Sequence, residues 1–290
     1  MRLAAALGLL LIAESLLPSA VNAASIGAVE AIEFQSEGVT LSGSVVFPAV
    51  NPPVAALILV HGSGKVGRML PLARLLAENG FAVLTYDKRG VGDSSGIYEG
   101  QNNASAKNLN LLADDASAAV DVLKRDPHLQ RVPVGFVGVS QAGWIIPLAA
   151  TKSKVVKLIA LWSGPVCTVS EQLHFQDLAS NDPDFWKTHT KRQVADYMKS
   201  TPYRPDDTDP RTSLSKLSIP GLWLFGGQDN LAPVDLSVAR LKDLIGQGHH
   251  NFAYKIFPEY GHNIADSPKQ LSFQYMIAWL KQTTATIRKN

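Results

Sequence analysis

Five short, mostly apolar runs constrain the fold of this 290-residue chain more than any other feature. They are residues 54–60, 82–86, 134–139, 156–162 and 221–225, with helical patterns or glycine-rich loops between them. Strands without polar alternation are typical of parallel sheets whose two faces are both covered by helices. The alternation of strands and helices therefore predicts an α/β fold with a mainly parallel sheet.

The two ends of the chain complete this sheet. Residues 29–35 and 39–47 read as strands joined at Glu37-Gly38, a hairpin signal that predicts an antiparallel start. A last strand is expected at 253–257 and a closing helix at 270–281. Other helices are expected at residues 70–78, 108–125, 141–151 and 234–245. The length fits one large domain better than two small ones.

The alternation stops between residues 166 and 214. This segment carries four prolines and many charged residues, together with the aromatic residues Phe175, Phe185, Trp186, Tyr197 and Tyr203. A structureless loop of this length is improbable inside a compact domain. We therefore expect a small, mostly helical cap inserted at about 166–214. If its rings line a pocket, they favour an apolar ligand.

The first residues resemble a signal peptide. Arg2 precedes an apolar run over residues 3–13, and small residues flank Asn22 at positions 21 and 23. We expect residues 1–23 to be removed after Ala23, giving a secreted or periplasmic protein without a membrane span. A membrane anchor is the alternative, but a span needs roughly 20 apolar residues, and Glu14 and Pro18 interrupt this run.

The charge and the cysteine content limit the class of binding partner and the possible disulfides. The 27 basic and 25 acidic residues are interspersed, for a net charge of +2, so no basic stripe points to nucleic acid. The expected partner is a small molecule. Cys167 is the only cysteine, so no internal disulfide is available even if the protein is exported.

A candidate nucleophile lies at the junction between the strand 134–139 and the following helix. The segment Gly138-Val139-Ser140-Gln141-Ala142-Gly143 places a serine on a tight strand-to-helix turn, which exposes its hydroxyl above the sheet. Small residues are needed two positions before and after this serine because strand and helix approach closely. Ala142 departs from the G-x-S-x-G pattern but is still small. Ser140 is therefore the predicted nucleophile.

A serine hydroxyl needs a base, and the base needs an orienting acid. Asp229 follows the strand 221–225, and His262 follows the last strand, so the chain order is Ser, Asp, His. We predict Asp229 as the acid and His262 as the base. Asp235 and Glu259 are the next candidates for the acid by position, while the other histidines lie near helix ends or in the insertion.

Acyl transfer also requires hydrogen-bond donors for the oxyanion. The backbone amide of Gln141, directly after the nucleophile, is one expected donor. The other is expected from the loop His61-Gly62-Ser63-Gly64, whose glycines allow close approach to a ligand. We assign Ser63, with Gly64 as the alternative.

Four sequence blocks together resemble the α/β-hydrolase superfamily, in particular its bacterial serine-aminopeptidase-like and acyl-peptidase-like branches. They are His61-Gly62-Ser63-Gly64, the segment from Tyr86 to Ser94, the segment from Gly138 to Trp144, and Tyr260-Gly261-His262. The resemblance implies an α/β-hydrolase fold with a variable cap. It also implies that Asp87 and Arg89 have structural roles.

The sequence thus predicts a serine hydrolase that cleaves an ester or other acyl bond through an acyl-enzyme. Serine at position 140 argues against dehalogenase chemistry, and the mechanism implies no metal and no organic cofactor. An aminopeptidase or amidase is the second possibility, because acidic residues of the insertion could bind an amine: Glu171, Asp177, Asp182 and Asp184. A catalytically inactive binding module is the third.

Overall fold

The computed structural model describes residues 26–100, 104–180, 182–202, 204, 207–265 and 271–289. The expected signal peptide and Tyr203 lie outside the described residues. No described helix combines the length and the apolar character needed to span a bilayer.

One eight-stranded sheet runs through the described residues, in the order β1-β2-β4-β3-β5-β6-β7-β8. Its strands are β1 (Ile26–Ser36), β2 (Val39–Pro48), β3 (Ala56–Val60), β4 (Ala82–Tyr86), β5 (Val134–Val139), β6 (Val156–Trp162), β7 (Gly221–Gly226) and β8 (Phe252–Phe257). The pairs β1–β2 and β2–β4 are antiparallel, and the other neighbouring pairs are parallel. This confirms the predicted α/β class and the antiparallel start.

The helices are α1 (Leu70–Glu78), α2 (Ala106–Arg125), α3 (Ala142–Lys152), α4 (Val169–Ala179), α5 (Phe185–Thr188), α6 (Lys191–Met198), α7 (Arg211–Leu214), α8 (Val234–Gly246) and α9 (Leu271–Ile287). Helices α1 and α9 cover one face of the sheet, and α2, α3 and α8 cover the other. Strand β3 is completely buried, because Ile58 packs into one layer and its neighbour Leu57 into the other.

Helices α4 to α7 lie between β6 and β7, in the segment 166–214 that we call the cap segment. Helix α4 begins with a capping box in which Thr168 and Glu171 each bind the other's backbone N–H. The cap segment has a small core of its own around Phe175, Phe185 and Val194.

Two ion pairs hold the loop that follows β4. The guanidinium of Arg68 contacts the carboxylate of Asp87 at 2.7 Å. Arg89 donates two hydrogen bonds, of 2.8 and 2.5 Å, to the carboxylate of Asp115 on α2. Asp87 and Arg89 therefore connect this loop to its neighbours, as expected for structural residues.

Loss of the Arg89–Asp115 pair should destabilise the fold. Both side chains are buried, at 7% and 0% exposure. Asp115→Ala leaves the guanidinium of Arg89 buried without its partner, so the free energy of unfolding should fall by about 3–5 kcal/mol. Asp196→Ala, which breaks an exposed pair with Lys199, should change it by less than about 1 kcal/mol. Urea unfolding measures both, and equal losses would contradict this account.

Candidate active site

Ser140 lies on a strained turn between β5 and α3. Its φ of 52° is in the left-handed region, which is unfavourable for a residue with a side chain. The Ser140 N–H donates to Trp162 O at 2.9 Å, and the N–H of Gly143 donates to Ser140 O at 2.8 Å. A Cβ atom on Gly138 would lie 2.5 Å from the Cβ of Ala142. Small residues at these two positions let strand and helix meet and hold the hydroxyl above the sheet.

His262 lies on the loop after β8 and contacts both of the other predicted residues. Its Nε2 is 2.9 Å from Ser140 Oγ, and its Nδ1 is 2.8 Å from Asp229 Oδ2. A carboxylate facing Nδ1 favours the proton on that nitrogen, which leaves Nε2 free to accept from the serine hydroxyl. The structure therefore brings Ser140, His262 and Asp229 into one hydrogen-bonded series.

The carboxylate of Asp229 is fully buried and held from three sides. While Oδ2 faces the imidazole, Oδ1 accepts hydrogen bonds from the N–H groups of Leu231 at 2.7 Å and Ala232 at 2.8 Å. Trp186 of the cap segment donates its indole N–H to the backbone O of Asp229 at 2.8 Å. Both oxygens of the carboxylate are thus satisfied, and its orientation toward His262 is set by the backbone.

The two other carboxylates considered from sequence are placed differently. Asp235 pairs with Lys191 of the cap segment at 2.8 Å. Glu259 is exposed. Of the three candidates, Asp229 is the one that contacts the imidazole of His262.

Two glycines allow the loops after β7 and β8 to touch. A Cβ atom on Gly226 would lie 1.9 Å from Gly261 O, and one on Gly227 would lie 2.7 Å from Pro258 O. The Gln228 N–H donates across the same contact to Tyr260 O at 2.8 Å. This close approach sets Asp229 beside His262.

Ser163 is a site residue that the sequence reasoning did not identify. Its hydroxyl donates to the backbone O of His262 at 2.6 Å, and its φ of 51° marks a second strained turn, directly after β6. It therefore holds the histidine loop, which follows β8, from the end of β6. Its signal in the sequence is limited to the turn composition Ser163-Gly164-Pro165 directly after a buried strand.

The predicted oxyanion donors lie on either side of Ser140. A Cβ atom on Gly62 would be 3.4 Å from the Cβ of Ser140, so the loop 61–64 passes directly beside the nucleophile position. Within the residues that the structure describes, the backbone N–H groups of Ser63, Gly64 and Gln141 have no hydrogen-bond partner. Ser63 and Gly64 thus both remain possible second donors.

His61 anchors this loop and is not a base for Ser140. Its Nε2–H donates to Tyr86 O at 2.6 Å, and its ring packs edge-on against that tyrosine. Burial lowers the pKa of His61 to about 4, with a smaller contribution from the nearby cation of Lys88. The imidazole is therefore neutral at physiological pH.

A cavity of about 620 Å³ opens at Ser140 and His262. Apolar side chains from α1 and its preceding loop form one wall: Val66, Met69, Pro71, Leu72 and Leu75. Leu231, Ile264 and Ala265 line it from the other side, and Gln172 and Gln176 of α4 close it from the cap segment. Among the described lining residues, His262 is the only ionisable side chain. The volume suits a small organic molecule.

Four aromatic residues of the cap segment do not line this cavity: Phe175, Phe185, Trp186 and Tyr197. The rings of Phe175 and Phe185 meet edge-to-face with centroids 5.7 Å apart, and Trp186 packs against both. Tyr197 instead stacks on His174. The condition for these four rings to favour an apolar ligand, that they line the pocket, is therefore not met; Phe175, Phe185 and Trp186 pack within the cap segment instead.

The acidic residues considered as amine ligands are also elsewhere. Glu171 forms a two-pronged ion pair with Arg240 of α8 and caps α4, which lowers the pKa of its carboxyl although burial opposes this. Asp177, Asp182 and Asp184 are exposed and do not line the cavity. No cluster of three or more His, Cys, Asp or Glu side chains that could hold a metal occurs in the described part of the chain.

Comparisons with known proteins identify the family of this chain. The family model for serine aminopeptidases, S33, matches residues 51–204, just over half of the chain. Esterase EstD of Thermotoga maritima is 26% identical over 277 residues, which cover 84% of this chain and 63% of that esterase. The chain thus spans less than two-thirds of the length of this relative.

Solved structures show the same fold. Esterase Pf2001 of Pyrococcus furiosus superposes with a TM-score of 0.64 at 17% identity, covering 89% of this chain and 90% of that one. The acylaminoacyl peptidase of Pyrococcus horikoshii gives a TM-score of 0.65 at 17% identity, covering 88% of this chain and 42% of the peptidase. At this identity the likeness establishes the α/β-hydrolase fold.

Proposed function

This chain belongs to the serine aminopeptidase (S33) family of hydrolases, and from that premise we propose that it cleaves a carboxylic ester through an acyl-enzyme at Ser140. The observation that carries the proposal is the hydrogen-bonded series from Ser140 Oγ through His262 to Asp229, with distances of 2.9 and 2.8 Å. A serine hydroxyl, an imidazole and a buried carboxylate in this order are the parts needed to activate a serine nucleophile.

In the proposed first half-reaction, Ser140 Oγ bonds to the ester carbonyl carbon while its proton passes to His262 Nε2. The carbonyl oxygen becomes an oxyanion, and the alcohol leaves after taking that proton from the imidazolium. Water then repeats the sequence on the acyl-enzyme and releases the acid. Asp229 keeps the imidazole in the tautomer that accepts at Nε2 and stabilises the imidazolium.

The unpartnered amides beside Ser140 support a site for the oxyanion. The N–H of Gln141 and that of Ser63 or Gly64 have no protein acceptor among the described residues. Donors held in fixed loops stabilise the charge that develops in the transition state without having to reorganise. We assign Gln141 and Ser63 to this role.

The character of the cavity favours an ester over a peptide with a free amine. Binding of an N-terminal ammonium group is favoured by a carboxylate partner, and none of the described lining residues supplies one. The apolar wall formed by Val66, Met69 and Leu72 suits the acyl chain of an uncharged ester.

Asp229→Asn tests the role of the acid. The amide keeps the shape of the side chain but favours the wrong imidazole tautomer, so turnover of an ester should fall by about 10⁴-fold while the fold is retained. Asp235→Asn is the matched control, because that carboxylate lies on the exposed face and pairs with Lys191; it should leave turnover unchanged. Steady-state hydrolysis of a 4-nitrophenyl ester measures both. Near-normal turnover in Asp229→Asn would assign the acid to another residue.

A fluorophosphonate probe separates an enzyme from an inactive binding module. Phosphonylation requires an activated hydroxyl, so the probe reports the serine and its base together without knowledge of the substrate. The native protein should be labelled on the peptide that contains Ser140, whereas Ser140→Ala, folded His262→Ala and heat-denatured protein should not. Peptide mapping by mass spectrometry locates the label. Folded native protein that stays unlabelled would favour the binding module.

A further inference from the structure

Lys88 lies beneath the proposed oxyanion site with its side chain buried. The residue is 3% exposed, and its ammonium group donates hydrogen bonds to Gly62 O at 2.7 Å, to Gly64 O at 3.0 Å and to Gln141 Oε1 at 3.3 Å. The first two acceptors belong to the loop after β3, and the third belongs to the residue after Ser140. One cation thus binds both segments from which the oxyanion donors come.

Among the described residues, this ammonium group has no counter-ion. Within the described part of the chain, its contacts are the three oxygen atoms above, and no carboxylate lies within ion-pair distance. Burial lowers the pKa of Lys88 to about 8, so the group is still charged at neutral pH. A buried, unpaired charge is unfavourable for folding. Its position beside the proposed oxyanion site therefore indicates a role in that site.

The bond to Gly62 O fixes the direction of an amide. In a trans peptide the C=O and the following N–H point to opposite sides of one rigid plane. The carbonyl of Gly62 points at Lys88, so the N–H of Ser63 in the same peptide unit points away from it. A cation on the carbonyl also polarises the peptide and strengthens its N–H as a donor.

The contact with Gln141 ties the second segment to the same cation. Gln141 is buried and directly precedes α3, where its own N–H is free of protein acceptors among the described residues. Holding its side-chain oxygen restricts rotation of the turn that carries Ser140. The backbone N–H of Lys88 donates to Val66 O at 3.3 Å, which connects its own loop to the loop after β3.

We propose that Lys88 is a positioning residue for the oxyanion site, where it orients the Gly62–Ser63 peptide and the Gln141 turn and supplies an unpaired positive charge behind their amides. This inference rests on the proposed function. In the ground state the partners of the ammonium among the described residues are neutral oxygens. An oxyanion forming on the other side of the two amides supplies the missing negative charge, so the interaction is stronger in the transition state than with bound substrate.

The test compares Lys88→Met with Lys65→Met. Lys65 lies in the loop after β3, close to the two glycines that Lys88 contacts, but it is exposed, with its ammonium 5.7 Å from the ring centroid of Tyr98. The same chemical change there therefore serves as the control. For each protein, kcat and KM are measured on a 4-nitrophenyl ester. Inhibition constants are measured for an alkyl trifluoromethyl ketone, which forms a tetrahedral adduct with an activated serine, and for the corresponding secondary alcohol, which cannot.

Lys88→Met should lower kcat by about 10²-fold, as expected when an oxyanion interaction is removed, while KM stays within about threefold. Its affinity for the trifluoromethyl ketone should fall by a factor comparable to that in kcat, and its affinity for the alcohol should not change. Lys65→Met should resemble the native protein. If Lys88→Met does not fold, Lys88→Gln is judged by the same criteria.

A folded Lys88 variant with kcat within threefold of the native value would overturn the inference. So would a loss of alcohol binding that matches the loss of kcat, since that indicates a general structural defect. Failure of the proposed function is a different result: the native protein itself would then hydrolyse no ester and bind the ketone no more tightly than the alcohol.

Discussion

The contact between β5 and α3 is the constraint on which the rest of the site depends. Gly138 and Ala142 meet so closely there that no larger side chain fits, and the chain between them turns through the left-handed conformation of Ser140. The serine hydroxyl is therefore held at the carboxyl edge of the sheet. The loops after the other parallel strands begin at the same edge, which is how residues 61–64, Lys88, Asp229 and His262 come together.

The cap segment is coupled to the acid loop. The indole of Trp186 donates to the backbone of Asp229, and the amide of Gln176 donates to Leu231 O at 3.0 Å. Leu231 is also a neighbour of Asp229, whose carboxylate accepts its N–H. A movement of the cap segment would therefore act on the residue that orients His262. Gln176 lies on α4, which also lines the cavity. The helix that borders the ligand site therefore also contacts the loop that carries Asp229.

Much of the fold and of the site could be predicted from local sequence. Apolar runs such as residues 134–139 predicted buried strands. The turn at residues 138–143 predicted Ser140 as the nucleophile, because the exposure of its hydroxyl depends on small residues close to it in the sequence. The role of Lys88 could not be predicted, since it depends on contacts with Gln141, 53 residues away. The packing of Phe175 and Phe185 could not be predicted either, because an aromatic residue in a helical segment is equally compatible with the core of the cap segment and with the wall of a pocket. The signal peptide stays a prediction from the leader alone.

Carbamoylation tests the central claim, an acyl-enzyme at Ser140, most directly. A 4-nitrophenyl carbamate transfers its carbamoyl group to an activated serine with release of 4-nitrophenolate, and the product hydrolyses slowly because nitrogen conjugation stabilises its carbonyl. The account predicts stoichiometric release of 4-nitrophenolate and a carbamoyl group on the peptide that contains Ser140. Folded protein that releases no 4-nitrophenolate, or that carries the carbamoyl group on another residue, would contradict it.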